Sequence, residues 1–212
     1  MNRLVHDTLD CSDADAIIGE ATLLIEKKLY VEALSTLMRG VSVAPNNPKV
    51  WENMATCNLE MGKPKMALQA INNLLRIQPL SHSGWADKGI LHLLLNETSE
   101  GIGALQESLR INPRRIYGWE LLGMVLVAEE RWEEAIDALE KTLDLNPNSA
   151  VTWYNLAVCY LFFDEIDEAV QAAEMAFSID PSLRELAEDW WDLVQDDFED
   201  EESSSVAKIS AS

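Results

Sequence analysis

The chain has 212 residues, of which 48% are hydrophobic and 25% are charged. This composition is typical of a folded protein and excludes disorder along the whole chain. Acidic residues outnumber basic ones by 37 to 16, which gives a net charge of −21. Such a charge repels phosphate backbones and anionic lipid headgroups, so we expect neither nucleic acid nor a membrane surface as a partner. A basic or apolar protein surface is the expected partner.

The cysteines and the apolar runs indicate whether the chain is a disulfide-rich, zinc-binding or membrane-spanning protein. The three cysteines are widely spaced and form no Cys-X-X-Cys pair, so neither a disulfide framework nor a zinc site is predicted. No apolar run reaches the roughly 20 residues that a membrane-spanning helix requires, and the first residues hold no signal-peptide core. We therefore expect a cytoplasmic protein without a membrane span.

Three columns of residues repeat along the chain with one period of 34 residues. The first column is proline, at Pro45, Pro79, Pro113, Pro147 and Pro181. The second is tryptophan, at Trp51, Trp85, Trp119 and Trp153. The third is a small residue, at Ala33, Ala67, Gly101, Ala135 and Ala169. A fixed period of this length indicates an array of supersecondary units.

Apolar spacing within one period predicts two helices. The first helix of the last period has apolar residues at i, i+3, i+4 and i+7, namely Trp153, Leu156, Ala157 and Tyr160. These positions lie on one helix face. Breaks such as Gly62-Lys63-Pro64 separate the helices, because glycine ends a helix and proline suits the first turn of the next. The repeated tryptophans are predicted to be buried wedges between helices.

This combination of columns resembles the tetratricopeptide repeat (TPR) family, over residues 14–183. The fourth period matches the family pattern most clearly, through Trp119, Leu122, Gly123, Ala135, Leu139 and Pro147. The resemblance implies an all-α, right-handed solenoid of five helix-turn-helix units with a C-terminal capping helix. A lead-in of residues 1–13 would precede the units, which run over residues 14–47, 48–81, 82–115, 116–149 and 150–183.

The apolar pattern continues beyond the fifth unit. Its next stripe consists of Leu183, Leu186, Ala187, Trp190 and Val194. We interpret residues 184–197 as the capping helix, which covers the last open face of a repeat array. Residues 198–212 are acidic and rich in serine, and they are predicted to form a disordered tail.

The family resemblance also implies a concave groove lined by fixed positions of the first helix of each unit. In unit two these positions hold Lys49, Glu52, Asn53, Thr56, Leu59 and Glu60. In unit three they hold Ser83, Ala86, Asp87, Ile90, Leu93 and Leu94. The first two units are polar and mixed, whereas units three to five are apolar. We therefore predict a partner-binding groove in units three to five, formed by Leu93, Tyr117, Glu120, Leu121, Met124, Tyr154, Asn155, Val158 and Phe162.

Charge at the groove positions indicates the kind of partner. TPR domains that grip the acidic C-terminus of chaperones resemble one another in a clamp of lysine, arginine and asparagine, and no basic residue falls on those positions here. Residues 142–212 hold 17 acidic and two basic residues. An apolar groove with acidic rims suits a protein or peptide with a basic or apolar segment. The acidity is equally compatible with solubility or with a salt-adapted proteome.

No motif for catalysis or cofactor binding appears in the sequence. The three histidines lack the i, i+4 spacing of a helical metal site. We expect no enzyme activity, no cofactor and no metal. The predicted function is that of a protein-interaction scaffold, adaptor or chaperone-like binding module. The alternative is a self-associating structural protein, in which a second copy of the chain fills the same groove.

Overall fold

The computed structural model describes residues 11–187, 190 and 191, with side chains from residue 14 onward. Within these residues the chain is all-helical, with eleven helices joined by short turns. It divides into two compact bodies, an N-terminal body up to Pro113 and a C-terminal body from Arg114. The division falls between units three and four of the repeat.

The N-terminal body contains three helix pairs. Its helices are α1 (Cys11–Glu26), α2 (Tyr30–Val43), α3 (Pro48–Glu60), α4 (Pro64–Ile77), α5 (His82–Leu94) and α6 (Thr98–Ile111). Each helix packs against the next one along the chain, and α1 also contacts α3. The helix α1 begins three residues before the predicted start of unit one, and residues 1–10 of the predicted lead-in lie outside the described residues.

The C-terminal body contains two helix pairs and a short final helix. Its helices are α7 (Ile116–Ala128), α8 (Trp132–Leu145), α9 (Ala150–Phe162), α10 (Ile166–Ile179) and α11 (Leu183–Leu186). The helix α7 contacts both α8 and α9, and α11 packs against α10. Of the predicted capping helix, α11 and the helical residues 190 and 191 are described. The rest of it, and the predicted tail of residues 198–212, lie outside the described residues.

Close packing within each pair explains the column of small residues. Ala33, Ala67, Ala135 and Ala169 are completely buried where the two helices of a unit meet. In unit three both contact positions are glycines, and a Cβ atom placed on Gly89 would lie 2.8 Å from Cγ of Leu105. Such a separation is far inside ordinary van der Waals contact, so a larger side chain would push the helices apart.

The repeated tryptophans form a hydrogen bond that the sequence pattern did not reveal. The indole nitrogen of Trp51 donates to the carbonyl oxygen of Pro45 at 2.8 Å. The same bond joins Trp85 to Pro79 and Trp153 to Pro147. The prediction that these side chains are buried wedges is therefore incomplete. They are half-buried, because the edge of each ring must reach a carbonyl group in an exposed turn.

Each first helix ends in a left-handed residue at the same place in the repeat. In the described part of the chain, the residues with positive φ are Lys28, Gly62, Asn96, Glu130 and Asp164, with φ between 57° and 69°. Only unit two has glycine there, the residue that adopts this conformation without a steric penalty. A substitution at Gly62 therefore tests the conformation of the turn by itself, because a Cβ atom there would meet no atom within 4 Å.

Two glycine-to-alanine substitutions are expected to have opposite effects. Gly62→Ala should destabilise the protein by about 1 kcal/mol, because alanine disfavours positive φ. Gly103→Ala lies in the exposed interior of α6, where a Cβ atom also meets no atom within 4 Å. It should stabilise the protein by roughly 0.5–1 kcal/mol through helix propensity. Urea unfolding of both variants would contradict this account if the two midpoints moved in the same direction.

Candidate functional site

The first helices of the C-terminal body carry eight of the nine predicted groove residues. Tyr117, Leu121 and Met124 follow one stripe of α7, since residues four and three apart share a helix face. Tyr117 is 60% exposed and Met124 is 43% exposed, whereas Leu121 is half-buried. The stripe is therefore an apolar surface that the described residues leave largely open.

A second stripe runs along α9, which packs against α7. It contains Val151, Asn155, Val158 and Phe162 at successive positions of one face. Val158 is half-buried, and the side-chain amide of Asn155 donates to the carbonyl oxygen of Val151 at 2.8 Å. This amide is thus engaged within its own helix.

Phe162 belongs to an aromatic cluster at the end of α9. Its ring stacks on Trp132, with ring centres 4.7 Å apart and planes 24° apart. The ring of Phe163 lies edge-on to the ring of Phe162, with ring centres 5.3 Å apart. Phe162 is nevertheless 57% exposed, so one face of the cluster remains open.

Glu120 supports the start of α9. One of its carboxylate oxygens accepts a hydrogen bond from the Ser149 hydroxyl at 2.8 Å. Ser149 is the N-cap of α9, and its hydroxyl oxygen accepts from the backbone nitrogen and the hydroxyl of Thr152. Because the cap orients the first turn of α9, Glu120 has a structural role in addition to its charge.

Tyr154 contacts the C-terminal segment of the chain. Its hydroxyl donates to the carbonyl oxygen of Leu186 at 3.1 Å, and its ring lies 6.2 Å from the ring of Trp190. The neighbouring Trp191 is buried edge-on against Phe177. The segment that begins with α11 therefore covers this end of α9 and α10, and the predicted groove residue Tyr154 holds it in place.

Leu93 is the one predicted groove residue that belongs to the N-terminal body. Its side chain is half-buried between α5 and α6, where a Cβ atom placed on Gly101 would lie 2.8 Å from its Cδ2 atom. The side chain thus fills space that the glycine leaves free. This contact lies within its own helix pair, α5 and α6.

A cleft in the N-terminal body was missing from the predicted site. It has a volume of about 190 Å³ and opens between α3, α4 and α5. Its lining consists of Glu52, Ala55, Thr56, Leu59, Ala67, Ile71, Asp87, Ile90 and Leu91. Five of these residues occupy the first-helix positions that the family resemblance assigns to the groove. The groove prediction was based on the number of apolar residues at the groove positions, and this number is highest in units three to five. It does not show where small side chains leave a space between helices.

The buried cysteines show no reactive environment. Cys57 and Cys159 are completely buried, and burial raises the pKa of Cys159 to about 11 and also raises the pKa of Cys57. Both thiols therefore stay protonated at neutral pH. Within residues 11–187, 190 and 191, no group of three or more acidic, histidine or cysteine side chains could hold a metal ion. No helix in the described part of the chain is long and apolar enough to cross a membrane.

Comparisons with known proteins assign the repeats to a family. Residues 126–194 match the family model described as "Tetratricopeptide repeat". Over these residues the chain is a tetratricopeptide-repeat protein. No curated protein sequence matches the chain.

Solved TPR structures resemble the chain over most of its length. A crystal structure of MamA has a TM-score of 0.73 at 19% identity and covers 81% of this chain and 94% of its own. MamA from Desulfovibrio magneticus has a TM-score of 0.69 at 20% identity, with coverages of 80% and 96%. YrrB, described as a TPR protein with an unusual peptide-binding site, has a TM-score of 0.72 at 19% identity, with coverages of 81% and 89%. At these identities the likeness concerns the fold of the TPR units.

The contact of Tyr154 with the C-terminal segment is directly testable. Tyr154→Phe removes the donor to Leu186, which should destabilise the segment by about 0.5–1.5 kcal/mol. Amide hydrogen exchange at Ala187 and Trp191 should then accelerate, while exchange in α7 and α8 stays unchanged. The matched control is Tyr117→Phe, whose hydroxyl makes no hydrogen bond with any described residue. Equal exchange rates in both variants would show that the hydroxyl of Tyr154 does not hold the segment.

Proposed function

We propose that the chain is a protein-interaction scaffold that holds an apolar or basic-amphipathic segment of a partner in the groove of units three to five. Its anchors would be the exposed stripe of α7 with the adjoining stripe of α9. The observation that carries the proposal is the exposure of Tyr117, Met124 and Phe162 on the first helices of one body. Large side chains of this kind supply most of the binding energy in protein interfaces.

Charge supports the basic character of the partner segment. Residues 142–212 have 15 more acidic than basic residues, and this stretch includes α9 and α10. The first turn of α10 contains Asp167 and Glu168, and the first turn of α8 contains Glu133. A field of this sign attracts basic segments and accelerates their association, while apolar contacts determine how long they stay bound.

Family membership supports a binding role without specifying the ligand. YrrB, which shares the fold, is described as having a peptide-binding site. Because one fold serves many functions, this likeness raises the expectation of peptide binding but assigns no partner. The proposal requires no catalytic group.

Self-association is the second candidate function. It draws on the same observation, because an exposed apolar stripe fits another copy of the chain as well as a foreign segment. The two functions differ in the species that would lie against Met124.

Photo-crosslinking at a matched pair of methionines tests the proposal. Met124 on α7 and Met175 on α10 are 43% and 44% exposed, respectively. Each is replaced in turn by p-benzoylphenylalanine in the full chain, which is irradiated in cells, and adducts are identified by mass spectrometry. We expect adducts at position 124 to contain a basic-apolar segment of another protein, and position 175 to give few.

The possible results distinguish binding of another protein from self-association, and both of these from the absence of a specific site on the first helices. Adducts between two copies of the chain at position 124, together with concentration-dependent dimers in ultracentrifugation, would favour self-association. Equal adducts at both positions would contradict a specific role for the first helices.

As a second measurement, Met124→Asp should weaken capture of the identified segment at least tenfold and Met175→Asp should not, because only the former places a charge in the apolar contact. Val158 is less suitable, since a charge at this half-buried position would also disturb helix packing.

A further inference from the structure

The cleft of the N-terminal body has an apolar floor and a polar rim. Ala67 and Ile71 of α4 are buried at its base, beside Leu91 of α5. Glu52 and Asp87, on α3 and α5, are exposed residues of the lining. The cleft thus combines a surface that favours aliphatic groups with one that favours cations.

The volume of the cleft fits one side chain. An engineered cavity of about 150 Å³ in another protein holds a molecule the size of benzene. At about 190 Å³ the cleft can therefore admit an aliphatic side chain such as leucine or methionine. It is too small for a helix or for a drug-sized ligand, which requires roughly 300 Å³ or more.

The rim gives the cleft a charge preference. The Glu52 carboxylate makes no hydrogen bond or ion pair with any described residue, so it is available to a partner. The Thr56 hydroxyl, one turn further along α3, donates to the backbone carbonyl of Glu52 at 3.2 Å. No lysine or arginine contributes to the lining. A basic residue beside the inserted side chain would therefore meet the carboxylate of Glu52.

We propose that this cleft binds one aliphatic side chain of a partner polypeptide whose adjacent residues are lysine or arginine. The aliphatic group would lie on Ile71, Ile90 and Leu91, and the flanking cation would pair with Glu52. The inference rests on the proposed scaffold function, because it assigns a further specificity position to the same class of basic-apolar partner. It differs in location, since the cleft lies in the other body of the chain.

Methyl NMR of the full chain tests the proposal with defined probes. The probes are three synthetic peptides with the sequence Gly-Ser-X-Gly-Ser, in which X is Lys-Leu-Lys, Lys-Ala-Lys or Glu-Leu-Glu. They are titrated into the millimolar range, because one side chain binds weakly. We expect the Lys-Leu-Lys peptide to shift the methyl signals of Ile71 and Ile90. The other two peptides should bind about tenfold more weakly or not at all.

Three variants show whether the cleft itself causes the shifts. Thr56→Phe places an aromatic ring at the mouth of the cleft and should abolish them. Glu52→Gln removes one rim charge at an exposed position and should weaken binding severalfold. Glu32→Gln makes the same charge change at an exposed position of α2, outside the lining, and should leave binding unchanged. Methyl spectra of the free variants establish that each retains the fold.

The same spectra distinguish failure of this proposal from failure of the scaffold function. Shifts of Leu121 and Val158 without shifts of Ile71 would leave the proposed function intact and overturn the role of the cleft. Shifts of Ile71 and Ile90 alone would support the cleft and count against the anchors on α7 and α9. Equal binding of Lys-Leu-Lys and Glu-Leu-Glu would overturn the charge preference. Signals of Ile90 that changed with protein concentration alone would identify a second copy as the occupant and overturn the proposal.

Discussion

The hydrogen bond from a tryptophan indole to a proline carbonyl fixes how one TPR unit follows the next. In each case the proline lies just beyond the end of a second helix, and the tryptophan is in the first turn of the next first helix. The bond closes a six-residue junction that already has restricted conformations, because proline fixes its own φ and disfavours helix in the residue before it. A stiff junction repeated at a constant interval brings successive first helices into contact, as α1 with α3 and α7 with α9. The cleft of the N-terminal body is bordered by α4 and α5, the two helices whose junction contains the bond between Trp85 and Pro79.

The sequence determined the helices more completely than it determined the site. The period, the breaks and the small residues predicted an all-helical array of successive pairs, which the described residues form, because these features express local constraints on the backbone and on helix approach. The hydrogen bonds of Glu120 and Tyr154 join residues 29 and 32 positions apart, and their partners are a serine hydroxyl and a backbone carbonyl. The chain has 14 other serines and a carbonyl group at every residue, so neither partner is distinguished by its type. Only the packing of the helices determines which serine and which carbonyl group become the partners of Glu120 and Tyr154.

The cleft was missed for a related reason. A groove prediction that counts apolar residues looks for large side chains, whereas a cleft forms where side chains are small. Ala55 and Ala67 leave the space that Ile71 and Leu91 surround. The repeat requires small residues at these positions for helix approach, so their second consequence becomes visible only when three helices are brought together. Conversely, Tyr154 and Phe162 are large and apolar, yet part of their surface is used within the chain itself.

The sizes of the two proposed contacts indicate what kind of partner the scaffold suits. A single buried aliphatic side chain contributes roughly 1.5–3 kcal/mol, which is less than the 4.1 kcal/mol that corresponds to a millimolar dissociation constant. The exposed stripe on α7 presents only a few anchors, so it too would hold a short segment weakly. A partner that engaged both bodies would bind far more tightly, because the second contact would form at the high effective concentration set by the first.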